Sequence, residues 1–340
     1  MMDFVYKTEN VLSLVCTLIT AEFAKAFDTV DHTTAVQCLL VLGVRTSLNP
    51  WACSFMTDRR QKVQYQRISY LWSCTGNYSI LGPIVFLALI NSALQERIHH
   101  WKYVDVMNVA QMWTLQLPCT LQQTLKDLVV WVEEHKMKLN SKKCKVLHVT
   151  HMRYPPVLPA LFMDQNILEV HSTVQVLEVI IQDNLRWDNQ VDHMLMSANR
   201  KLFFSRCLKK FGVCDSELVS FYKHYVRLVL EYAVTVWHSS LSNDQTKKLE
   251  CIKKQVCKIT LGQRYSGYPD TLCILGLCTL SERRTWLCLD LNLTLGIGYP
   301  LPGRRLLVTI QKTQIPRCWT ERYRRSPIPY MCKLLNNNGF

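Results

Sequence analysis

The run ILGPIVFLALI, residues 80–90, is the feature that most limits what this chain can fold into. It is apolar almost throughout, too long for an ordinary strand, and broken early by Gly82 and Pro83. A bilayer crossing needs about 20 such residues, so the run predicts a helix buried inside a protein core. A chain of 340 residues is long enough to build that core, in two or more packed lobes. Its hydrophobic fraction of 49% is that of a globular protein and argues against disorder. The N-terminus, MMDFVYKTEN, has no basic region feeding an apolar signal core. With no spanning run either, an intracellular protein with no membrane partner is expected.

Charge narrows the class of partner. Lys and Arg outnumber Asp and Glu by 40 to 26, a net charge of +14. Such a surplus favours a polyanion, nucleic acid before anionic membrane. The fifteen cysteines are scattered, odd in number and without a C-x-x-C pair. Cys273 and Cys278 have no neighbouring histidine to complete a zinc site. Free thiols in a reducing compartment are therefore expected.

Local patterns divide the chain. VLSLVCTLITAEF, residues 11–23, is β-branched and apolar and reads as a buried strand. TTAVQCLLVLGV has helical spacing and a stop at Gly43. WKYVDVMNVAQMW alternates and reads as a hairpin, and Thr120 with Gln123 is spaced as a capping box. Leu121, Leu125, Leu128 and Val132 then mark one face of an amphipathic helix. RYPPVLPA, residues 153–160, reads as a loop or hinge. Beyond Trp187 three helices are predicted, over residues 197–212, 215–237 and 242–262, the last capped by Gly262. The fold class is α+β in the first half and helical in the second.

Four stretches carry possible chemistry. AEFAKAFDTVDH places Glu22, Asp28 and Asp31 around Lys25, directly after the first strand. SILGPIVFLALIN follows a turn, KYVDV puts Asp105 in the hairpin, and WVEEHKMKLNSKKCKVLHV runs a lysine cluster into a strand. Singly each is weak, because acids at strand ends and lysine clusters are usually solvated. Their order is more telling: carboxylate strand, turn and helix, carboxylate hairpin, helix, lysine-rich strand. Carboxylates on adjacent strands, holding two metal ions about 4 Å apart, are laid out this way in a polymerase palm.

At these residues the chain resembles the reverse transcriptases of non-LTR (LINE-type) retrotransposons, of the jockey and chicken-repeat kind. EFAKAFDTVDH resembles D-F-S-K-A-F-D-x-V-x-H, and WACSFMTDRRQKV resembles W-x-x-S-F-L-x-x-R-x-Q-x-V. SILGPIVFLALIN resembles the end of G-V-P-Q-G-S-x-L-G-P-x-L-F-x-x-x-I-N-D, and KYVDV stands where Y-A-D-D belongs. WVEEHKMKLNSKKCKV resembles W-x-x-x-N-x-M-x-L-N-x-x-K-C-K-V, and VLEVIIQDNLRW resembles x-L-G-V-x-I-x-x-x-L-x-W. YVRLVLEYAVTVW and TERYRRSPIPYMCKLLN resemble the family's thumb and tail, so the likeness runs from about residue 11 to near the end.

The resemblance implies a palm over residues 11–182, with an antiparallel sheet and helices on one face. It implies a helical thumb over 183–265 and a basic region over 266–340, with the fingers largely absent. An active element carries an endonuclease and fingers ahead of the palm, and a palm strand starting near residue 11 leaves room for neither. The implied reaction is attack of a primer 3′-hydroxyl on a nucleotide α-phosphate, directed by an RNA template. Glu22 and Asp105 would hold Mg²⁺ or Mn²⁺, and Phe27, Ser79, Lys143 and Lys145 would touch nucleotide or template.

Several positions depart from the pattern. Glu22 stands for an aspartate, and its extra methylene displaces the carboxylate by about 1.5 Å, the scale of a C–C bond. Val106 replaces the second aspartate of the hairpin pair, and Gly76, Asn77 and Tyr78 replace Pro-Gln-Gly. A polymerase with little or no activity is the expectation, with a non-catalytic nucleic-acid-binding relic or a decayed reading frame as alternatives.

The tail concentrates the charge surplus. Arg322, Arg324 and Arg325 stand among further basic residues from Arg304 to Lys333, with Trp319, Tyr323 and Tyr330 interleaved and Glu321 the single acid. Guanidinium groups holding phosphates beside stacking aromatics suit a single-stranded nucleic acid, whereas a solvated tail broken by prolines needs none.

Overall fold

The structure is a computed structural model that describes residues 1–11, 13–24, 26, 30–56, 60–65, 68–73, 81–95, 99–114, 116, 119–158, 160–164, 166–294 and 316–337. It forms two compact units, Ser13–Val174 and a second that joins Met2–Leu12 to Gln175–Phe340. The first helix, α1 (Met2–Tyr6), therefore belongs to the second unit.

The first unit is built on β1 (Val15–Glu22), buried along nearly its whole length. It is followed by α2 (His32–Val41), α3 (Asn49–Met56), the paired strands β2 (Arg60–Tyr65) and β3 (Ile68–Ser73), and α4 (Leu81–Asn91). Next come the hairpin β4 (His100–Tyr103) and β5 (Val106–Trp113), α5 (Leu121–Glu134) and β6 (Lys145–Thr150). The short strands β7 (Phe162–Met163), β8 (Asn166–Ile167) and β9 (Glu169–Val170) close the unit. The main sheet has the order β4-β5-β1-β6-β9, antiparallel except for the β6–β9 pair.

Strand alternation gives this sheet one helix-covered face. Ile19, Ala21 and Phe23 from the β1 segment pack with Val85, Phe86 and Leu89 of α4 and with Leu121, Leu125 and Leu128 of α5 in one apolar core. The Phe23 ring meets Phe86 and Trp131 edge-on, with centroids 6.1 and 6.2 Å away. The apolar run forms α4 from Leu81 onward, but only one side of it is buried, with Ile84 and Leu87 exposed. Pro83 lies in the first turn of α4, where its missing N–H leaves no helical hydrogen bond unmade.

One local expectation fails. Thr120 precedes α5 but its side chain makes no cap bond. Its backbone N–H and its hydroxyl both donate to Gln111 Oε1, at 2.8 and 3.3 Å. Gln123 instead donates to Asp127 Oδ1 at 2.9 Å. An acceptor from the adjacent strand has displaced the local reciprocal pair. The stripe Leu121, Leu125, Leu128 and Val132 is buried, as its spacing required.

The division between units falls in β10 (Thr173–Val176), which pairs with β11 (Val179–Gln182). The second unit is otherwise helical: α6 (Asp188–Lys210), α7 (Asp215–Phe221), α8 (Arg227–Glu231), α9 (Val234–Trp237), α10 (Asn243–Leu261), α11 (Tyr268–Leu275), α12 (Leu280–Thr294), α13 (Glu321–Arg324) and α14 (Pro327–Asn337). The segment 215–237, expected as one helix, is broken twice. Tyr222–Val226 makes a π-helical turn, and Ala233 takes the left-handed conformation with φ 49°. The Tyr232 carbonyl, released from the helix, accepts from Trp237 Nε1 at 2.9 Å. Helix α10 matches its expectation, with a Ser242–Gln245 capping box and Gly262 at φ 55°. Every described cysteine is a free thiol.

Charged groups are buried in this helical core. The Glu231 carboxylate, only 7% exposed, accepts from Arg283 Nε at 2.6 Å and lies 3.7 Å from Arg227 Nε. Arg284 is fully buried, its guanidinium 6.0 Å from the Trp237 ring and donating from Nε to His238 Nδ1 at 3.3 Å. Burial, then the neighbouring Arg284 charge, pushes His238 down to about 4, so the imidazole is neutral and can accept that bond. Removing one member of a buried ion pair strands the other at a cost of about 3–5 kcal/mol. Glu231→Ala is therefore expected to destabilise the chain by about that amount, measured by chemical denaturation of the full-length protein.

Candidate active site

The site is built by strand register. Residues Val15 to Glu22 of β1 pair with Trp113 to Val106 of β5, so the last residue of β1, Glu22, lies directly across from Val106. Tyr103 pairs with Val106, which leaves Val104 and Asp105 as a two-residue turn. Val104 is held at φ 53°, a left-handed conformation that Gly, Asn or Asp usually supplies in such turns. For a β-branched residue this is a strained position. Two backbone bonds compensate by fastening the corner. Phe23 N–H donates to the Asp105 carbonyl at 3.0 Å, and Asn140 N–H donates to the Glu22 carbonyl at 2.8 Å.

The second bond brings the lysine-rich loop to the end of β1. Ala24 N–H also donates to the Lys138 carbonyl at 2.8 Å, and Phe23 bridges Leu139. Lys143 is thereby placed so that its Nζ donates to Glu22 Oε1 as an ion pair. That hydrogen bond and the Glu22 charge raise the Lys143 pKa, and the Asp105 carboxylate adds to the rise. Glu22, Asp105 and Lys143 thus share one corner of the sheet. Lys145 lies on β6 across from Thr20, on the same sheet face as Glu22 and half-buried. Thr20 donates from its hydroxyl to Asn108 Oδ1 at 3.0 Å on that face.

The other acid of the first motif that the structure describes is occupied elsewhere. Asp31 is the N-cap of α2, accepting from Thr34 N at 3.1 Å, Thr34 Oγ1 at 2.7 Å and Lys136 Nζ at 3.1 Å. The Thr34 bonds first, then Lys136, hold its carboxyl down at about 2. Lys25, Phe27, Asp28, Tyr78 and Ser79 lie outside the described residues.

The family assignment rests on a match over much of the chain. Residues 6–202 of the 340 match the family Reverse transcriptase (RNA-dependent DNA polymerase). The chain belongs to the reverse transcriptase family. Comparison with curated protein sequences gives no match. Among solved structures it is similar to a telomerase from Candida albicans, in a complex with the TWJ fragment of telomeric RNA. That similarity has 9% identity and a TM-score of 0.33, covering 81% of this chain and 51% of the other. The chain therefore spans about half the length of that telomerase chain.

Reverse transcriptases usually work with divalent metal ions, so the corner can be tested for fit. A two-ion centre needs enough carboxylates to bridge ions about 4 Å apart. Here Glu22 and Asp105 converge, and no group of three His, Cys, Asp or Glu able to hold an ion occurs among the described residues. The position across from Glu22 is the hydrocarbon of Val106, and the Glu22 carboxylate already carries the Lys143 ammonium. These residues do not fit a resident two-ion centre. What the corner can do is hold one cationic group against two acids.

Directly opposed residues on antiparallel strands have Cβ atoms about 4.5–5.5 Å apart. A carboxylate at 106 would therefore reach the ion that Glu22 reaches. The double variant Glu22→Asp, Val106→Asp is expected to gain divalent-ion affinity before any turnover, read by calorimetry with Mg²⁺ and Mn²⁺. A folded double variant with unchanged affinity would count against this placement.

Proposed function

We propose that this chain is a reverse transcriptase domain of non-LTR (LINE-type) retrotransposon origin that binds single-stranded nucleic acid, as RNA template or DNA primer, and polymerises little or not at all. The ordered set of motifs from Glu22 to Trp187 supports the origin. The observation that carries the loss of polymerisation is Val106 across from Glu22, with Lys143 on the Glu22 carboxylate. Loss of one metal carboxylate removes several kcal/mol of transition-state stabilisation. A misplacement of about 1 Å costs on the order of a hundredfold in rate, and the extra methylene of Glu22 displaces its carboxylate by more than that. Phe27, Ser79, Lys143 and Lys145 keep the family's nucleotide- and template-facing roles in this reading.

Binding does not need the ions. The net charge of +14 supplies the long-range attraction. In the tail, Arg324 and Arg325 pair with Glu321 on the surface, at 2.8 and 3.4 Å. Exposed pairs of this kind contribute about 0–1 kcal/mol, so either arginine can exchange its carboxylate for a phosphate at little cost. Arg322 is more firmly engaged, with Nε 3.2 Å from the buried Glu9 carboxylate.

Purified protein is expected to show no processive DNA synthesis on a homopolymer template, with either Mg²⁺ or Mn²⁺. Template-dependent incorporation that disappears in Asp105→Asn would overturn the reading. Replacing Arg322, Arg324 and Arg325 together with alanine is expected to weaken RNA binding equally for all sequences. It should also flatten the salt dependence, by roughly 0.7 in log–log slope for each phosphate of a single strand that is no longer neutralised. Filter binding over a salt series measures both quantities.

A further inference from the structure

The second unit contains a cavity of about 390 Å³ that joins the end of the VLEVIIQDNLRW motif to the basic tail. Its walls include the first turns of α6 and α10, the Ser240–Leu241 segment, Glu9, and two arginines at α13. We propose that this cavity binds a nucleoside monophosphate, gripping it by the phosphate. The reading stands apart from the palm chemistry, because the cavity is formed by the second unit alone.

Three arginines, Arg186, Arg322 and Arg325, line the space with two acids, Glu9 and Asp188, and Arg325 also pairs with Glu321 at 3.4 Å. The acids are already engaged. Asp188 Oδ1 accepts from Gln245 Nε2 at 2.7 Å, and Glu9 Oε1 lies 3.2 Å from Arg322 Nε. The Arg322 group is fixed further by donating from Nη2 to the Asn184 carbonyl at 2.7 Å. A guanidinium held in place by its own partners is preorganised for a phosphate, whose oxygens match its planar donors.

The backbone contributes in the same sense. Helix α6 has 23 residues and α10 has 19, and both begin at this cavity. The first-turn N–H groups of Asn189 and Gln245 already donate to Gln182 Oε1 and Ser242 Oγ, at 3.0 and 3.2 Å, so the helices contribute the partial positive charge of their N-termini. Leu185, Trp187 and Leu241 supply an apolar side to the lining. The volume falls in the range of roughly 300–1,000 Å³ typical of small-molecule pockets and exceeds what a bare phosphate fills. A phosphate with a nucleoside attached uses both sides.

Glu9 supports the assignment through its protonation. Burial raises its carboxyl to about 7, against the lowering effect of Arg322. Its charged neighbour is Arg322 on α13, with Tyr6 on α1 close enough to interact, while Arg186, Asp188 and Arg325 line the same cavity. A carboxyl with a raised pKa is neutral below that value, so acidification removes one negative charge from beside Arg322. Anion binding therefore strengthens as pH falls through about 7.

Calorimetry on the full chain with AMP, adenosine and inorganic phosphate tests the proposal. AMP is expected to bind and adenosine not to. Arg186→Ala and Arg325→Ala should each weaken AMP about tenfold, the scale of one charge-assisted hydrogen bond. Circular dichroism checks that each variant keeps its helices. Arg322 is left intact, since its loss strands Glu9. Sulfate, which does not titrate near neutrality, serves for the pH series, and Glu9→Gln should flatten it. Competition by a 5′-phosphorylated tetranucleotide would assign the site to a strand end, and its failure to compete would assign it to a free nucleotide. Adenosine binding as tightly as AMP, or unchanged AMP affinity in a folded Arg186→Ala, Arg325→Ala double variant, would overturn the proposal. Primer extension is independent of all these readouts, so failure here leaves the palm reading intact.

Discussion

The register of β1 against β5 is the constraint on which the first unit depends. β1 is central, paired on one edge from Val15 to Glu22 with β5 and on the other with β6. Side chains alternate along a strand with a period of two, so a slip of one residue would reverse every face. The observed register sends Ile19 and Ala21 into the helix-covered core and sets Glu22 against Val106 at its end. Packing and chemistry are therefore fixed by one pairing. The core selects the register with many buried side chains, and the corner inherits its geometry.

Much of this was legible in the amino-acid sequence because it rests on periodicity. The alternation around Asp105 and the stripe at Leu121, Leu125, Leu128 and Val132 each have one economical way to be buried, while the run in α4 buries Val85, Phe86 and Leu89 and leaves Ile84 and Leu87 exposed. Local rules failed where a distant partner competed. Thr120 lost its cap role to Gln111, nine residues back and on a neighbouring strand. The helical spacing of 215–237 concealed a break at Ala233, which no glycine or proline announces.

The candidate sites divide in the same way. Glu22 and Asp105 could be placed together because motif order encodes strand adjacency. Lys143 could be read as basic, but its attachment to Glu22 depends on backbone bonds from the 138–140 loop to the end of β1. The cavity at Arg186 was not legible as a site, although Arg186, Arg322 and Arg325 each stand in a stretch that the sequence marks. Its arginines are far apart in sequence, and Arg322 reads as a tail residue until Glu9 is seen beside it. Sequence patterns report neighbours along an element and across a hairpin. They carry little about charges brought together from both ends of a chain.

Under the proposed loss of polymerisation, the chemistry of the corner also explains how the fold stays stable. Opposed carboxylates at cross-strand distance repel one another unless a cation lies between them. With valine at 106 the opposed pair is absent, and Lys143 on Glu22 offsets the charge of the two acids that remain, Glu22 and Asp105. The core residues that set the register, Ile19, Ala21, Met107 and Val109, do not depend on the corner's charge. Stability and ion binding thus draw on different residues of the same strands. A change that removes a carboxylate from this corner relieves electrostatic strain while leaving the sheet intact, which is the direction in which stability and activity commonly trade.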